Sequence, residues 1–389
     1  CIAYSPSMTP LSRRQMLSTS VAAVAVAMTQ RPLTAFGFDA PSADEELIKF
    51  LPDQLVPKDR PMVKWDELTS WITPNDQLFN VAHYGYPEVN AVDWKLTLDG
   101  WVKRPLTLTL DDLKRRRRKT VTATLECSGN GSNAGFMGAV ANARWAGTSL
   151  RSLLKDAGLH ERAREVVFFG ADEKVEKVRE QDFEMKFSRA LSLDDALADD
   201  VILCWEVNGE PLSAKNGAPV RLVVPGWFGI AWIKWLTRIE VQDRRFMSKY
   251  MGREYVTIRG EEVEGEMLWR ETQVGPIATK SIVARVTKRA DGALRITGAA
   301  WTDGTRLDKV ELQIDDGRWI EVELDRHREE HAWTFWSHVW ENPPAGEHKL
   351  VSRATDKHGR VQPALTDAPI KNKRTYWEAN QQFPRKIRV

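Results

Sequence analysis

Cysteine is scarce in this chain of 389 residues: there are three, Cys1, Cys127 and Cys204, and none lies in a C-x-x-C or C-x-x-C-H arrangement. An odd count without paired spacing excludes the disulfide framework of a small secreted protein, and the missing C-x-x-C-H excludes a c-type haem attachment site. An excess of one charge is lacking too. Lys and Arg number 56 against 54 Asp and Glu, a formal charge of +2, which leaves no broad electrostatic footprint for nucleic acid or an anionic membrane. Nor is any apolar run long enough to cross a bilayer as a helix, so no membrane span is expected in the mature chain.

What is present describes a large folded protein. Hydrophobic residues make up 42% and charged residues 28%, as in ordinary globular domains. The chain exceeds the roughly 250–300 residues at which a single core stops growing, so two domains are expected. Near the N-terminus, Ser12-Arg13-Arg14-Gln15-Met16-Leu17 precedes a short Ala/Val-rich stretch at 21–28. This pattern reads as a twin-arginine export signal, occupying residues 1–40 and sending an already folded chain to the periplasm. Such export is needed when a cofactor is inserted in the cytoplasm.

Along the rest of the chain, residues 41–60 are charged and Pro-punctuated, a linker or surface arm. Residues 94–102 alternate by two and carry Asp99-Gly100, a hairpin signal. A short helix follows, with Thr109 or Asp111 as its N-cap, and residues 148–158 have helical spacing at Leu150, Leu153 and Leu154 before a glycine stop. Strands are expected at 121–125, 166–169, 201–205 and 220–224, with Gly-bearing loops at 128–133 and 225–229. Residues 261–272 are polar and turn-like, a candidate boundary. Beyond residue 276 the texture changes to short alternating segments at 281–286, 294–299, 310–314, 319–324, 332–336 and 349–353, with Asp-Gly turns at Asp291, Asp303 and Asp316. The expected fold is α+β: a mixed α/β domain over 41–275, then an immunoglobulin-like β-sandwich over 276–389.

Two of the cysteines differ in setting. Cys204 sits in the apolar run VILCW and reads as core. Cys127 lies in Thr124-Leu125-Glu126-Cys127-Ser128-Gly129-Asn130, at a strand end against a glycine loop. A thiolate there is open to close approach by a bulky group and is a soft ligand suited to a soft or borderline metal. A semi-buried structural cysteine is the alternative from these residues alone.

In this stretch the chain resembles the sulfite oxidase family, and the likeness continues in order through Ala143-Arg144-Trp145-Ala146-Gly147, Gly217-Ala218-Pro219-Val220-Arg221, Val223–Gly226 and Lys234-Trp235-Leu236. The wording LECSGN is similar to bacterial members, among them haem-free periplasmic sulfite dehydrogenases and sulfane dehydrogenases. The resemblance implies a molybdenum–molybdopterin cofactor without haem, with Cys127 as the metal's protein ligand. Phe79, Asn80, Val81, Ala82, His83, Asp172, Asn216, Arg221, Trp232, Ile233 and Lys234 would hold the pterin and its phosphate. Tyr255 would donate to the metal-bound oxygen. It further implies oxidation of sulfite to sulfate, electrons leaving for an external cytochrome c, and a homodimer formed through the C-terminal sandwich. A sulfane dehydrogenase subunit, or a non-catalytic molybdopterin-binding protein, is the alternative. The family's anion-binding arginines map to Val81, Ser132 and Trp336, none able to grip an oxyanion in bidentate fashion. The missing charge is therefore sought at His83, Arg144 or Arg253, and sulfite affinity is expected to weaken as pH rises through the histidine range.

Two motifs stand apart. His327-Arg328-Glu329-Glu330-His331 fits an inverted zinc-peptidase pattern, but that chemistry needs a helix where the flanks alternate as strands. The run KRRRRK at 114–119 is ordinarily a solvated face and less often a docking patch for an acidic partner.

Overall fold

Capping chemistry places the helices. Thr109 and Asp112 close a capping box ahead of helix Leu110–Lys114, each side chain accepting from the other's backbone N–H. Ser149 caps helix Leu150–Ala157, and Gly158, at φ 72, stops it. The computed structural model describes residues 44–54, 61–133 and 136–389. The twin-arginine segment lies outside the described residues.

Two sheets frame the N-terminal half. In the first, Arg118–Glu126 pairs along its length with Val140–Ser149, which continues to Ile202–Val207 and Arg221–Val223. In the second, Leu96–Gly100 forms the expected hairpin with Leu106–Leu108 and runs parallel to Leu236–Gln242, which borders Glu165–Val178, itself paired on its other edge with Gln181–Ser192. The strand expected to stop at Phe169 continues as Glu165–Val178 and returns through Arg179 and Glu180, at φ 50 and 65. A tight right-twisted hairpin requires positive φ at both turn positions. The stretch at 261–272 is not a turn but most of a hairpin, Val256–Val263 with Glu266–Gln273.

The C-terminal half is a sandwich, as its alternation indicates. One sheet runs Glu46–Ile48, Lys280–Lys288, Leu294–Trp301, Thr334–Trp340 and Glu323–Leu324; the other runs Ile320–Glu321, Leu307–Ile314, Glu347–Asp356 and Arg385–Arg388. Val283, Val286, Ile296 and Trp336 of the first meet Val310, Leu312, Leu350 and Ile387 of the second. The opposite face of the first sheet is buried as well. Ile282, Ala284, Ala299, Trp301 and Phe335 pack into the core of the N-terminal half, so the sandwich lies against the body that carries Cys127. The edge strand Glu46–Ile48, sequence-assigned to the first domain, belongs to this sheet.

His327–His331 is not helical. His331 pairs with Asp200, while His327 stands edge-on to Trp71 at 4.3 Å, so the imidazoles serve different partners. The basic run is a surface matched locally, Arg115 to Asp112, Arg116 to Asp156 and Arg118 to Glu206. Among the described residues no helix is long and apolar enough to cross a membrane.

Candidate functional site

The strand Arg118–Glu126, buried over its last four residues, ends one residue before Cys127, whose N–H donates to Ala139 O at 2.9 Å and whose carbonyl accepts from Asn130 at 2.9 Å. The thiol therefore faces a cavity from the start of a tight turn. Phe79, Asn80, Val81, Ala82 and His83 form one wall; Asp172, Arg221, Trp232 and Lys234 form another; Tyr255 closes a third. Leu125, Ser128, Phe187, Gly229, Ile230 and Trp235 complete the lining and were not picked out from the sequence. Leu125, Ser128 and Trp235 adjoin the residues singled out in the 124–130 and 234–236 motifs, and Gly229 ends the 225–229 loop, whereas Phe187 and Ile230 lie in segments without a chemical signature.

The cations and polar atoms fit an anionic, hydrogen-bonding ligand. Arg221 is buried, donating to Asn216 O at 3.1 Å and Trp232 O at 3.2 Å, with its guanidinium 5.1 Å from the Trp145 ring centre. Burial lowers it to about 10. Lys234 Nζ donates to Asn80 Oδ1 at 3.0 Å and Val81 O at 2.9 Å, and lies 4.2 Å from the Trp235 ring centre. Burial, with Arg221 adding repulsion, lowers it to about 7. Burial raises Asp172 to about 6. Arg221 Nε, Asp172 Oδ1 and Ser128 Oγ are buried without a hydrogen-bond partner in the protein. Unpaired buried polar groups on several sides of one cavity are costly unless a ligand satisfies them.

Tyr255 and His83 lie together on another side of the cavity. The phenol oxygen is 3.1 Å from His83 Nε2, and the Tyr255 ring stacks on Trp377 at 4.1 Å. Its backbone is left-handed, φ 55, as is that of Trp235 at φ 48, strain of the kind that accumulates at functional sites. Burial pushes the phenol above its usual range, and Cys127 adds to the effect. The His83 ring packs in a cluster with Phe187 and Tyr250, centroids at 5.3 and 4.8 Å, those two rings touching each other at 4.8 Å. Burial, then Lys234 and Lys249, lowers it to about 4. That direction runs against the expectation that His83 carries the anion's charge.

Other expected residues lie elsewhere. Arg144 is exposed and lines no part of the cavity, although its strand neighbours on both faces are buried. Ile233 is fully buried in the core and does not line the cavity. Asn216 stands behind the wall, accepting from Asn80 at 3.2 Å. Ser132 lies in the cysteine loop, donating to Gly129 O at 3.0 Å, outside the lining. Trp336 is in the sandwich core with its indole on Ser281 at 3.1 Å, so it holds no substrate position. Arg253 borders an outer cavity shared with His83, Tyr255, Tyr376 and Trp377. Arg189 gave no sequence signal: buried, it donates to the carbonyls of Tyr250 and Val274, and Val274 N–H donates to Tyr255 O at 2.8 Å.

Comparison with known proteins agrees with this geometry. Residues 83–250 match the oxidoreductase molybdopterin binding domain and residues 271–382 the Mo-co oxidoreductase dimerisation domain. Chicken sulfite oxidase (Gallus gallus) is 31% identical over 332 residues, covering 78% of this chain and 70% of that protein. Human mitochondrial sulfite oxidase is 32% identical over 333 residues, covering 78% of this chain and 59% of the relative. The Drosophila melanogaster enzyme is 31% identical, covering 75% and 55%. The chain thus spans little more than half the length of these two mitochondrial relatives. In three dimensions it is similar to the sulfane dehydrogenase SoxCD of Paracoccus pantotrophus, with a TM-score of 0.71, 25% identity, and coverage of 88% of this chain and 91% of that one.

Proposed function

The chain belongs to the sulfite oxidase family of molybdopterin enzymes, and from that premise we propose that it oxidises a reduced sulfur centre, with sulfite the first substrate to test. One observation carries this: Cys127 and the Tyr255–His83 pair face a single cavity whose remaining walls hold unpaired polar atoms and buried cations.

In this proposal the cofactor is molybdenum–molybdopterin, which supplies two-electron oxygen-atom transfer to sulfur and returns electrons singly. Cys127 supplies the soft thiolate suited to the metal. Arg221 and Lys234 neutralise the pterin's phosphate, and Asp172 accepts from pterin N–H groups. Trp232 and Trp235 exclude water from that wall. Tyr255 keeps its proton at neutral pH and donates a hydrogen bond toward the reacting oxygen, while neutral His83 fixes the phenol's direction.

Electrons would leave to an external acceptor, a cytochrome c, and the exported protein would work in the periplasm as a homodimer joined through the sandwich. Sulfite-dependent reduction of a c-type cytochrome by the purified, cofactor-loaded chain tests this. Turnover with sulfite supports it; a loaded enzyme inert toward sulfite refutes the substrate.

A second reading, a sulfane dehydrogenase, is favoured by the lining itself. Its cations, Arg221 and Lys234, serve the pterin wall, and Val81 stands where the family places an arginine. Activity that appears only with a sulfur-bearing partner protein would select it.

A further inference from the structure

The residue before Cys127 is a carboxylate shut away from water. Glu126 is 0% and Lys280 1% exposed, and the two form an ion pair. Taking both charges out of water is unfavourable unless the remaining hydrogen-bonding positions are filled. Here they are filled. Glu126 Oε2 accepts from the Trp301 indole at 2.8 Å, Oε1 accepts from Asn130 Nδ2 at 3.0 Å, and Lys280 Nζ also donates to Asn130 O at 3.0 Å. Asn130 Oδ1 in turn accepts from Ala139 N–H at 3.0 Å. The network therefore grips the cysteine turn at both ends, Glu126 just before the thiol and Asn130 three residues after.

Lys280 and Trp301 come from the sandwich strands Lys280–Lys288 and Leu294–Trp301. The C-terminal tail adds a second hold. Gln381 Nε2 donates to Gly131 O at 2.7 Å, and the Phe383 ring lies so close that a Cβ on Gly131, at φ +86, would come within 2.5 Å of it. Only glycine fits there.

We propose that the C-terminal sandwich and tail are a clamp that sets the position of the Cys127 thiol, with Lys280 acting through Glu126 as a positioning residue. The consequence for catalysis rests on Cys127 being the metal ligand; the clamp itself does not. A pair that only joined the two halves would move every buried thiol alike when broken.

The test uses the full-length chain purified from cells unable to make the cofactor, and follows iodoacetamide alkylation of Cys127 against Cys204 by peptide mass. Cys204 is fully buried in the core and reports general loosening. Lys280→Gln or Glu126→Gln alone leaves an unpaired buried charge. Each should speed Cys127 alkylation about tenfold while Cys204 stays unreactive. The double variant, with an amide pair in place of the ions, should return to within about threefold of wild type, since both charges are gone together. Gln381→Ala should give a smaller rise of about threefold, by loss of one hydrogen bond to the turn; it serves as the readout if a single charge variant fails to fold. Parallel rises at Cys127 and Cys204, or no change at Cys127 in any variant, would overturn the clamp. In cofactor-loaded wild type, protection of Cys127 from alkylation tests the ligand assignment separately, and that arm can fail while the clamp stands.

Discussion

The Tyr255 hydroxyl and His83 Nε2 lie 3.1 Å apart across the cavity that Cys127 enters, and burial holds both groups neutral, the phenol shifted up and the imidazole down to about 4. A neutral donor aimed into a water-poor site is suited to stabilising charge that develops on an oxygen. Tyr255→Phe should therefore lower kcat by roughly 100-fold with little change in KM, the pattern of a contact made in the transition state. Steady-state kinetics with sulfite check this; a raised KM at unchanged kcat would place Tyr255 in ground-state binding instead.

His83 makes the pH prediction. Its folded value is about 4 against an ordinary 6.5, so between those values the unfolded chain binds more protons and stability rises with pH. The gain across that window is up to about 3 kcal/mol, and His83 adds no further slope above it. Urea unfolding of the cofactor-free chain at pH 5 and pH 7 should show about 2 kcal/mol of this gain in wild type and its loss in His83→Phe. By the same sign, KM for sulfite should not follow a histidine titration between pH 6 and 9.

Lys234 couples ligand binding to protons. Burial and Arg221 lower it to about 7, so at pH 8 it is mostly neutral, and a phosphate beside it would restore its charge. Binding of inorganic phosphate at pH 8 should take up a proton, seen calorimetrically as a heat that changes with buffer ionisation enthalpy. Lys234→Met should abolish the uptake and lower retained pterin, while raising the melting temperature of the cofactor-free chain by removing a desolvated amine.

Arg253 lines the outer cavity beside Tyr255 and Tyr376, together with Glu254 and Glu271. If substrate enters there as an anion, Arg253→Ala should raise KM several-fold, leave kcat near wild type, and flatten the dependence of kcat/KM on salt. A substrate without net charge would leave all three unchanged.

The sandwich was legible from its alternation and the cysteine loop from a thiol at a strand end beside glycine, whereas the 79–83 wall was legible only through the family resemblance. Pairings between distant segments were not. Glu46–Ile48 joins Lys280–Lys288 across most of the chain, and nothing local to either strand announces it. The hairpin 256–273 was hidden because its outer part, 261–263 and 266–272, is exposed on both faces, which erases the alternation that marks a half-buried strand. Arg144 misled because a motif match does not say whether a side chain reaches the cavity; here it is exposed, outside the lining. Lys280 and Glu126 were readable as charges but not as partners, since only the fold brings a sandwich lysine to the cysteine turn.

The most direct test of the account is molybdenum and pterin analysis of the full chain produced in a cofactor-competent host, beside Cys127→Ser. Wild type should carry about one molybdenum and one pterin per chain. Cys127→Ser should keep the fold, since the residue is only partly buried at a strand end, and lose sulfite turnover, because a hydroxyl is a poor substitute for a soft thiolate. Wild-type protein with neither metal nor pterin, or a Cys127→Ser enzyme turning over like wild type, would contradict the assignment of this cavity.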